Sequence, residues 1–279
     1  MTLSNGLAMP VPGYGTFKVP AEDTARLVET ALRAGYRHID TATHYGNEKE
    51  VGEGLRASGL AREDVFLTSK LWNADRGYDN TLRAFDRSLS LLGTDYLDLY
   101  LIHWPANRKQ FGEGADALNA ETWRAFETLY EQGRVRSIGV SNFLTHHLQA
   151  LLQTARIVPM VDQVEFHPGW AHPELRDFCA AHRILVQAWS PLGRGRCLDH
   201  PEIVAMAARY GVSPAQLILR WVMQLGVVPL VKASSEARIR ENLLPFLPEG
   251  AFSLSPEDVQ TLIDLPVGPL SRQPDEVDF

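Results

Sequence analysis

Tyr78-Asp79-Asn80-Thr81-Leu82-Arg83-Ala84-Phe85-Asp86-Arg87-Ser88-Leu89-Ser90-Leu91-Leu92, followed by Leu97-Asp98-Leu99-Tyr100-Leu101-Ile102-His103, holds two periodicities in succession. Leu82, Phe85, Leu89 and Leu92 fall at i, i+3, i+7 and i+10, which lays one apolar stripe along a helix and turns it toward a sheet. Leu97 to His103 is a short apolar run ending on a polar group, the pattern of a buried strand. The same alternation runs along the chain. Gly13 to Phe17, Arg37 to Asp40, Val65 to Lys70, Val135 to Ser141, Val161 to Glu165, Ile184 to Ala188 and Val227 to Lys232 complete eight β-α units with the strand at Leu97.

Eight such units in 279 residues predict an α/β protein, a (β/α)8 TIM barrel spanning residues 1–279 as one domain. Doubly wound sheets share the rhythm, so glycine spacing is the second test. Gly13/Gly15, Gly52/Gly54, Gly112/Gly114 and Gly193/Gly195 all lack the third glycine of G-x-G-x-x-G, which excludes a Rossmann turn. Leu3-Ser4-Asn5-Gly6-Leu7 puts an Asn-Gly pair between apolar residues and predicts an N-terminal β-hairpin with a type I′ turn, covering one end of the barrel.

A formal net charge of −7 provides no general field for nucleic acid or an anionic membrane, so an anionic ligand needs a local basic pocket. Cys179 and Cys197 are the only cysteines, without C-x-x-C spacing, which points to a reduced, cytoplasmic protein. The opening residues Met1 to Gly6 carry no basic and apolar leader, and no segment approaches the ~18 apolar residues of a membrane span. His146-His147 and the pair His167/His172 raise the question of metal. The adjacent pair at a helix start is expected to point to different sides, with no third ligand at a suitable spacing, so no metal is expected.

Barrel active sites form at the carboxyl ends of the strands. There the chain places Asp40, Lys70, His103, Ser141-Asn142, Gln163, Trp189-Ser190 and Lys232. Taken singly, a strand-end Asp or Lys is more often half of a structural ion pair, and a histidine such as His103 a satisfied core residue. Together they describe one shared polar pocket.

Five separated stretches give these residues a family setting: Gly35-Tyr36-Arg37-His38-Ile39-Asp40-Thr41-Ala42 with Tyr45 and Asn47-Glu48; Leu67 to Asn73; Asp95 to Pro105; Ile138 to Phe143; and Lys232 to Asn242. In order and spacing the chain resembles the aldo-keto reductases over nearly its whole length, within the bacterial branch related to 2,5-diketo-D-gluconate reductases. The resemblance implies NADPH-dependent reduction of aldehydes or ketones to alcohols, with Tyr45, Asp40, Lys70 and His103 acting together. Hydride delivered to a carbonyl carbon leaves a developing alkoxide that needs a positioned acid. Tyr45 is the candidate acid. A Lys70 ammonium is expected to lower its pKa, Asp40 to keep Lys70 charged, and His103 to orient the carbonyl oxygen.

By family position, Ser141, Asn142 and Gln163 hold the nicotinamide carboxamide, and Trp189 stacks on the ring unless it only packs the barrel top. Ser190, Leu192 and Gly193 match the pyrophosphate loop, and Glu241 and Asn242 the adenine site. Lys232, Ser234, Ser235 and Arg238 open the last barrel helix, where cations and helix amides suit a 2′-phosphate. This implies NADPH over NADH; Ala233, where the family usually has Ser, softens the preference. Phe17, Trp72 and Trp104 form an aromatic wall beside His103, if they are not core fillers; Phe17 stands where many relatives carry Trp. Ala106 to Ala120 and the tail after Gly268 read as short polar loops, implying small polar carbonyls, dicarbonyls or keto sugars. The family default is a monomer. Two other function classes remain: a non-catalytic NADP(H)-binding, redox-sensing or regulatory barrel, and a cofactor-free barrel hydrolase or isomerase.

Overall fold

Eight parallel strands close on themselves in chain order: β1 (Gly13–Gly15), β2 (His38–Asp40), β3 (Phe66–Leu71), β4 (Leu99–Ile102), β5 (Ile138–Ser141), β6 (Val161–Glu165), β7 (Leu185–Trp189) and β8 (Val228–Val231), with β8 paired back to β1. This computed structural model describes all residues from Met1 to Phe279. Around the barrel run α1 (Ala21–Ala34), α2 (Glu48–Ala57), α3 (Tyr78–Leu92), α4 (Arg108–Phe111), α5 (Ala115–Glu131), α6 (Thr145–Leu152), α7 (Pro173–Ala181), α8 (Pro201–Tyr210), α9 (Pro214–Gln224), α10 (Glu236–Leu243) and α11 (Pro256–Ile263). None is long and apolar enough to cross a membrane.

Each strand shows one face to the helices and the other to the barrel interior, because side chains alternate with period two. The outward face builds the main core, in which Ile39, Leu67, Tyr100, Ile102, Val140 and Val186 meet Leu27, Phe85, Phe126, Leu148 and Trp221. Helix α3 occupies the range its periodicity predicts, buries Phe85, Leu89 and Leu92, and stops at Gly93 in the left-handed region. The inward face changes character with height. On β3, Phe66 sits in an apolar basal cluster, Thr68 bonds His38, and Lys70 bonds Asp40. Gly139 on β5 makes this closure possible, since a Cβ there would lie 2.4 Å from the Val161 carbonyl oxygen.

The basal cluster, Phe66, Leu99, Leu101, Val161 and Val228, is sealed by Leu3 and Met9 of the N-terminal hairpin. The hairpin forms as expected, but its turn does not. Type I′ needs left-handed backbone at both central residues. Here only Gly6 has positive φ, the Gly6 N–H donates to the Leu3 carbonyl, and Asn5 uses its side chain to accept from Leu7 N–H and donate to the Arg136 carbonyl. The turn is therefore a Leu3-to-Gly6 reverse turn followed by a left-handed glycine, tied down by Asn5.

Two further expectations are corrected. Residues 106–120 do not form an open polar loop: α4 and the start of α5 occupy most of it, with Asn107 capping α4 through the Gln110 N–H. The tail after Gly268 is polar in composition yet docked. Asn107 donates to the carbonyls of Pro274 and Val277, and Val277 is fully buried.

Candidate active site

At the carboxyl end of the barrel the expected four residues meet. Lys70, completely buried, donates from Nζ to Asp40 Oδ1 at 2.6 Å, to the Thr41 carbonyl at 2.9 Å and to the Tyr45 hydroxyl at 3.2 Å. Asp40 accepts from Gln163 Nε2 on its other oxygen, and Gln163 in turn donates to Gln187 Oε1. Tyr45 comes from a 3-10 turn, Thr43–Tyr45, that ends on left-handed Gly46; Thr43 pins that turn to β3 by donating to the Lys70 carbonyl. Asn47 anchors the following residues, accepting from Thr41 and donating to the Thr16 carbonyl.

Burial pulls the Lys70 pKa down, but Asp40 and Tyr45 outweigh it and hold the ammonium above its ordinary value. Tyr45 moves the opposite way from expectation. Burial, helped by the Asp40 charge, raises its pKa more than the Lys70 ammonium lowers it, because taking the phenol out of water disfavours the phenolate. Burial, then Lys70 and His44, push His103 well below the usual imidazole range, so the ring is neutral. Its Nδ1 is sealed without a partner while the residue lines the cavity. A buried orphan donor is rarer than a buried orphan acceptor, which assigns the proton to Nε2.

Ser141, Asn142, Gln163 and Trp189 form one network. Ser141 Oγ donates to the Gln163 carbonyl; Asn142 Nδ2 donates to the His103 carbonyl at 2.9 Å, and its Oδ1 accepts from Trp189 Nε1 at 2.9 Å. Asn142 reaches both because its backbone is left-handed, φ 63°, a conformation asparagine tolerates better than most residues. Gln163 Oε1 has no partner within the chain. These residues open on a cavity of about 990 Å³ that runs to the start of α10.

The cavity is also lined by Ser190, Leu192, Lys232, Ser234, Arg238, Glu241 and Asn242 among the expected cofactor residues, and by Phe17, Trp72 and Trp104. Gly193 and Ser235 stand behind the lining. Ser235 caps α10 instead, accepting from the Arg238 N–H. Ala233, largely buried, also lines the cavity, its carbonyl held by the Tyr14 hydroxyl at 2.8 Å. Phe17 packs against Tyr45, with ring centroids 4.9 Å apart.

Among the lining residues that sequence reasoning missed, Lys18, His44, Arg194 and Phe279 bear most on the chemistry. Lys18 and Arg194 join Lys232 and Arg238 as cations on one cavity, none of the four in a salt bridge, which is the local basic pocket that the acidic overall charge requires. His44 stacks on Trp72 at 3.6 Å, and Phe279 returns from the tail to stack on Trp72 and meet Trp104 edge-on. Lys18 and Arg194 had a signal, being neighbours of residues already singled out; Phe279 had none.

The histidine pairs resolve differently from expectation. His146 and His147 converge, their Nε2 atoms 3.1 and 3.0 Å from the same Asp275 oxygen. They converge because His147 is drawn inward as a helix cap, accepting the Leu144 N–H on Nδ1. That bond places the ring proton on Nε2, where it donates to Asp275 and ties α6 to the tail; contrary to expectation, a carboxylate from the tail does stand with both histidines, the three ligand atoms within 4.8 Å of one another. His167 and His172 both face Glu165, which also accepts from Leu270 N–H and Ser271.

The aldo/keto reductase family model matches residues 4–264. The chain belongs to the aldo/keto reductase family. This reductase is 48% identical to the glyoxal reductase of Bacillus subtilis, over 99% of this chain and 96% of that one. It is also 48% identical to the oxidoreductase YtbE of the same organism, over 100% and 97%. Among solved structures, a variant of Gox0644 in complex with NADPH superposes with a TM-score of 0.91 at 38% identity, covering 100% of this chain and 98% of that one.

Proposed function

We propose that Tyr45 donates the proton in carbonyl reduction, with Lys70 and Asp40 behind it and His103 orienting the substrate oxygen. The chain is an NADP-dependent oxidoreductase that reduces aldehyde or ketone groups to alcohols with NADPH. The observation that carries the residue roles is the Tyr45 hydroxyl 3.2 Å from a fully buried, Asp40-paired ammonium, at the floor of a cavity lined by four unpaired cations.

When bound, the nicotinamide supplies the hydride. The chain's own residues do the rest. As charge develops on the substrate oxygen, His103 donates from Nε2 and Tyr45 gives up its proton. The raised Tyr45 pKa keeps the phenol protonated at neutral pH but makes it the weaker acid, so the transfer depends on stabilising the phenolate. The phenolate that results lies beside Lys70, whose charge Asp40 maintains. Ser141, Asn142 and the free Gln163 Oε1 fit a carboxamide, and Trp189 offers a ring face. Lys232 and Arg238 fit a 2′-phosphate, and Lys18 and Arg194 add positive charge along the same cavity. NADH lacks the phosphate and is the weaker cofactor.

Small polar carbonyls, α-dicarbonyls and keto sugars are the proposed substrates, supported by the similarity to a glyoxal reductase. We read the protein as a single-domain, cytoplasmic monomer, supported by one closed barrel and two buried free thiols. A purely sensing role is disfavoured by the complete set of four residues, since binding alone does not require a buried lysine beside a phenol. The test is loss of reduced-nicotinamide absorbance when NADPH and a panel of aldehydes, dicarbonyls and keto sugars are supplied. Steady turnover is expected; no turnover on any of them overturns the reading.

A further inference from the structure

We propose that His44 is a specificity-determining residue, one that binds a second oxygen on the carbon next to the reacting carbonyl and so favours α-dicarbonyls and α-hydroxy aldehydes over simple aldehydes. This rests on Tyr45 and His103 holding the reacting oxygen, as proposed above.

His44 immediately precedes Tyr45 in the 3-10 turn and lines the same cavity. Its imidazole lies flat on Trp72, centroids 3.6 Å apart and planes 12° from parallel, and nearly perpendicular to His103, 6.3 Å away. Trp72 is itself braced by the Phe279 ring, and the Phe279 carbonyl is held by Asn73 and Gln110. The imidazole is thus positioned by stacking alone. Neither ring nitrogen bonds any group of the chain, in contrast with His38, His147, His167 and His172, each of which spends at least one nitrogen internally.

Two free ring nitrogens on a cavity wall need a partner that substrate or water supplies. Burial lowers the His44 pKa, so at neutral pH the ring presents one donor and one acceptor rather than a cation. That chemistry fits a neutral carbonyl or hydroxyl oxygen. The 6.3 Å between the His44 and His103 centroids lets the two rings donate to oxygens on adjacent carbons, each through a hydrogen bond of about 3 Å. A substrate with one oxygen leaves His44 hydrogen-bonded to water, so the gain is selective.

The experiment compares methylglyoxal with propanal, which differ by the second oxygen, at saturating NADPH with the full chain. His44→Phe keeps an aromatic ring for Trp72 and removes both nitrogens; His44→Gln restores a donor and an acceptor without the ring. Quenching of tryptophan fluorescence by NADPH verifies that each variant folds and binds cofactor. His44→Phe is expected to raise KM for methylglyoxal about threefold to tenfold, the worth of one neutral hydrogen bond, with propanal unchanged within twofold and part of the preference recovered in His44→Gln. An unchanged methylglyoxal-to-propanal ratio in His44→Phe overturns the proposal, as does an equal loss on both substrates, which makes the ring a packing element only. Failure of the unsubstituted enzyme on every carbonyl is the separate failure of the reading beneath it.

Discussion

The two ends of the barrel are built from the same strands and carry opposite chemistry. At the amino end, Phe66, Leu99, Leu101, Val161 and Val228 close around Leu3 and Met9 with no polar side chain among them. At the carboxyl end Asp40 pairs with Lys70 and accepts from Gln163, and Asn142 ties His103 to Trp189, beneath an open cavity. The first arrangement gains free energy by removing apolar area from water. The second must offset the desolvation of buried charges by pairing them, as Asp40 and Tyr45 do for Lys70, and so adds little net stability. Stability is concentrated below and chemistry above, so substitutions at the two ends separate in what they damage.

The sharpest break of that contrast is Tyr45→Phe. It keeps the ring against Phe17 and removes the proton, so kcat falls by roughly 10²–10⁴-fold, the usual worth of a general acid. NADPH affinity and melting temperature stay nearly constant; stopped-flow turnover beside fluorescence titration checks the pair, and equal losses of rate and affinity contradict the assigned role. At the other end, Leu99→Ala opens a cavity in the sealed base and destabilises by about 2–5 kcal/mol. Chemical denaturation measures this, while kcat well below the melting temperature stays within about twofold of the unsubstituted value.

A smaller effect tests the cofactor side of the carboxyl end. Replacing Lys232 and Arg238 together by Ala weakens NADPH by roughly tenfold or more through lost charge-assisted contacts, with NADH little changed. Similar losses for both cofactors, measured by titration, place the 2′-phosphate elsewhere.

The smallest prediction concerns Asp162, on β6 but facing away from Gln163, fully buried and with neither carboxyl oxygen in a hydrogen bond. Burial pushes its pKa well up. A carboxyl whose folded pKa lies above its unfolded value near ~4 contributes stability below that unfolded value and loses it as pH rises through the folded pKa. Asp162→Asn removes the ionisation, so its advantage over the parent grows from acidic to alkaline pH, reaching on the order of 1 kcal/mol. Melting curves at several pH values check the slope; a pH-independent difference contradicts it.

Much of this was legible in one dimension because it depends on local period and on position along a strand. The α3 stripe predicts its helix to the residue, and β6 is found where its apolar run lies. Asp40, Lys70 and Gln163 were readable as site residues because a strand's last inward position projects into the barrel mouth whatever the loops do. The Asn5-Gly6 turn was misassigned in type because Asn5 bonds Arg136, a contact 131 residues away. The Lys70 ammonium is expected to acidify Tyr45; the direction is the opposite because the fold buries the phenol, which no local pattern announces.

By itself the sequence determined the strand and helix order, the barrel class, the absence of a Rossmann turn and the placement of Asp40, Lys70 and His103 at the strand ends. These follow from steric periodicity and from the fixed direction of strands. Only the tertiary structure decided that Phe279 braces Trp72, that His44 keeps both nitrogens free, that Arg194 and Lys18 complete a basic cavity, and that His146 and His147 meet over Asp275. Each depends on where a loop or the tail returns, and that path is set by distant packing and hydrogen bonds that no local pattern encodes.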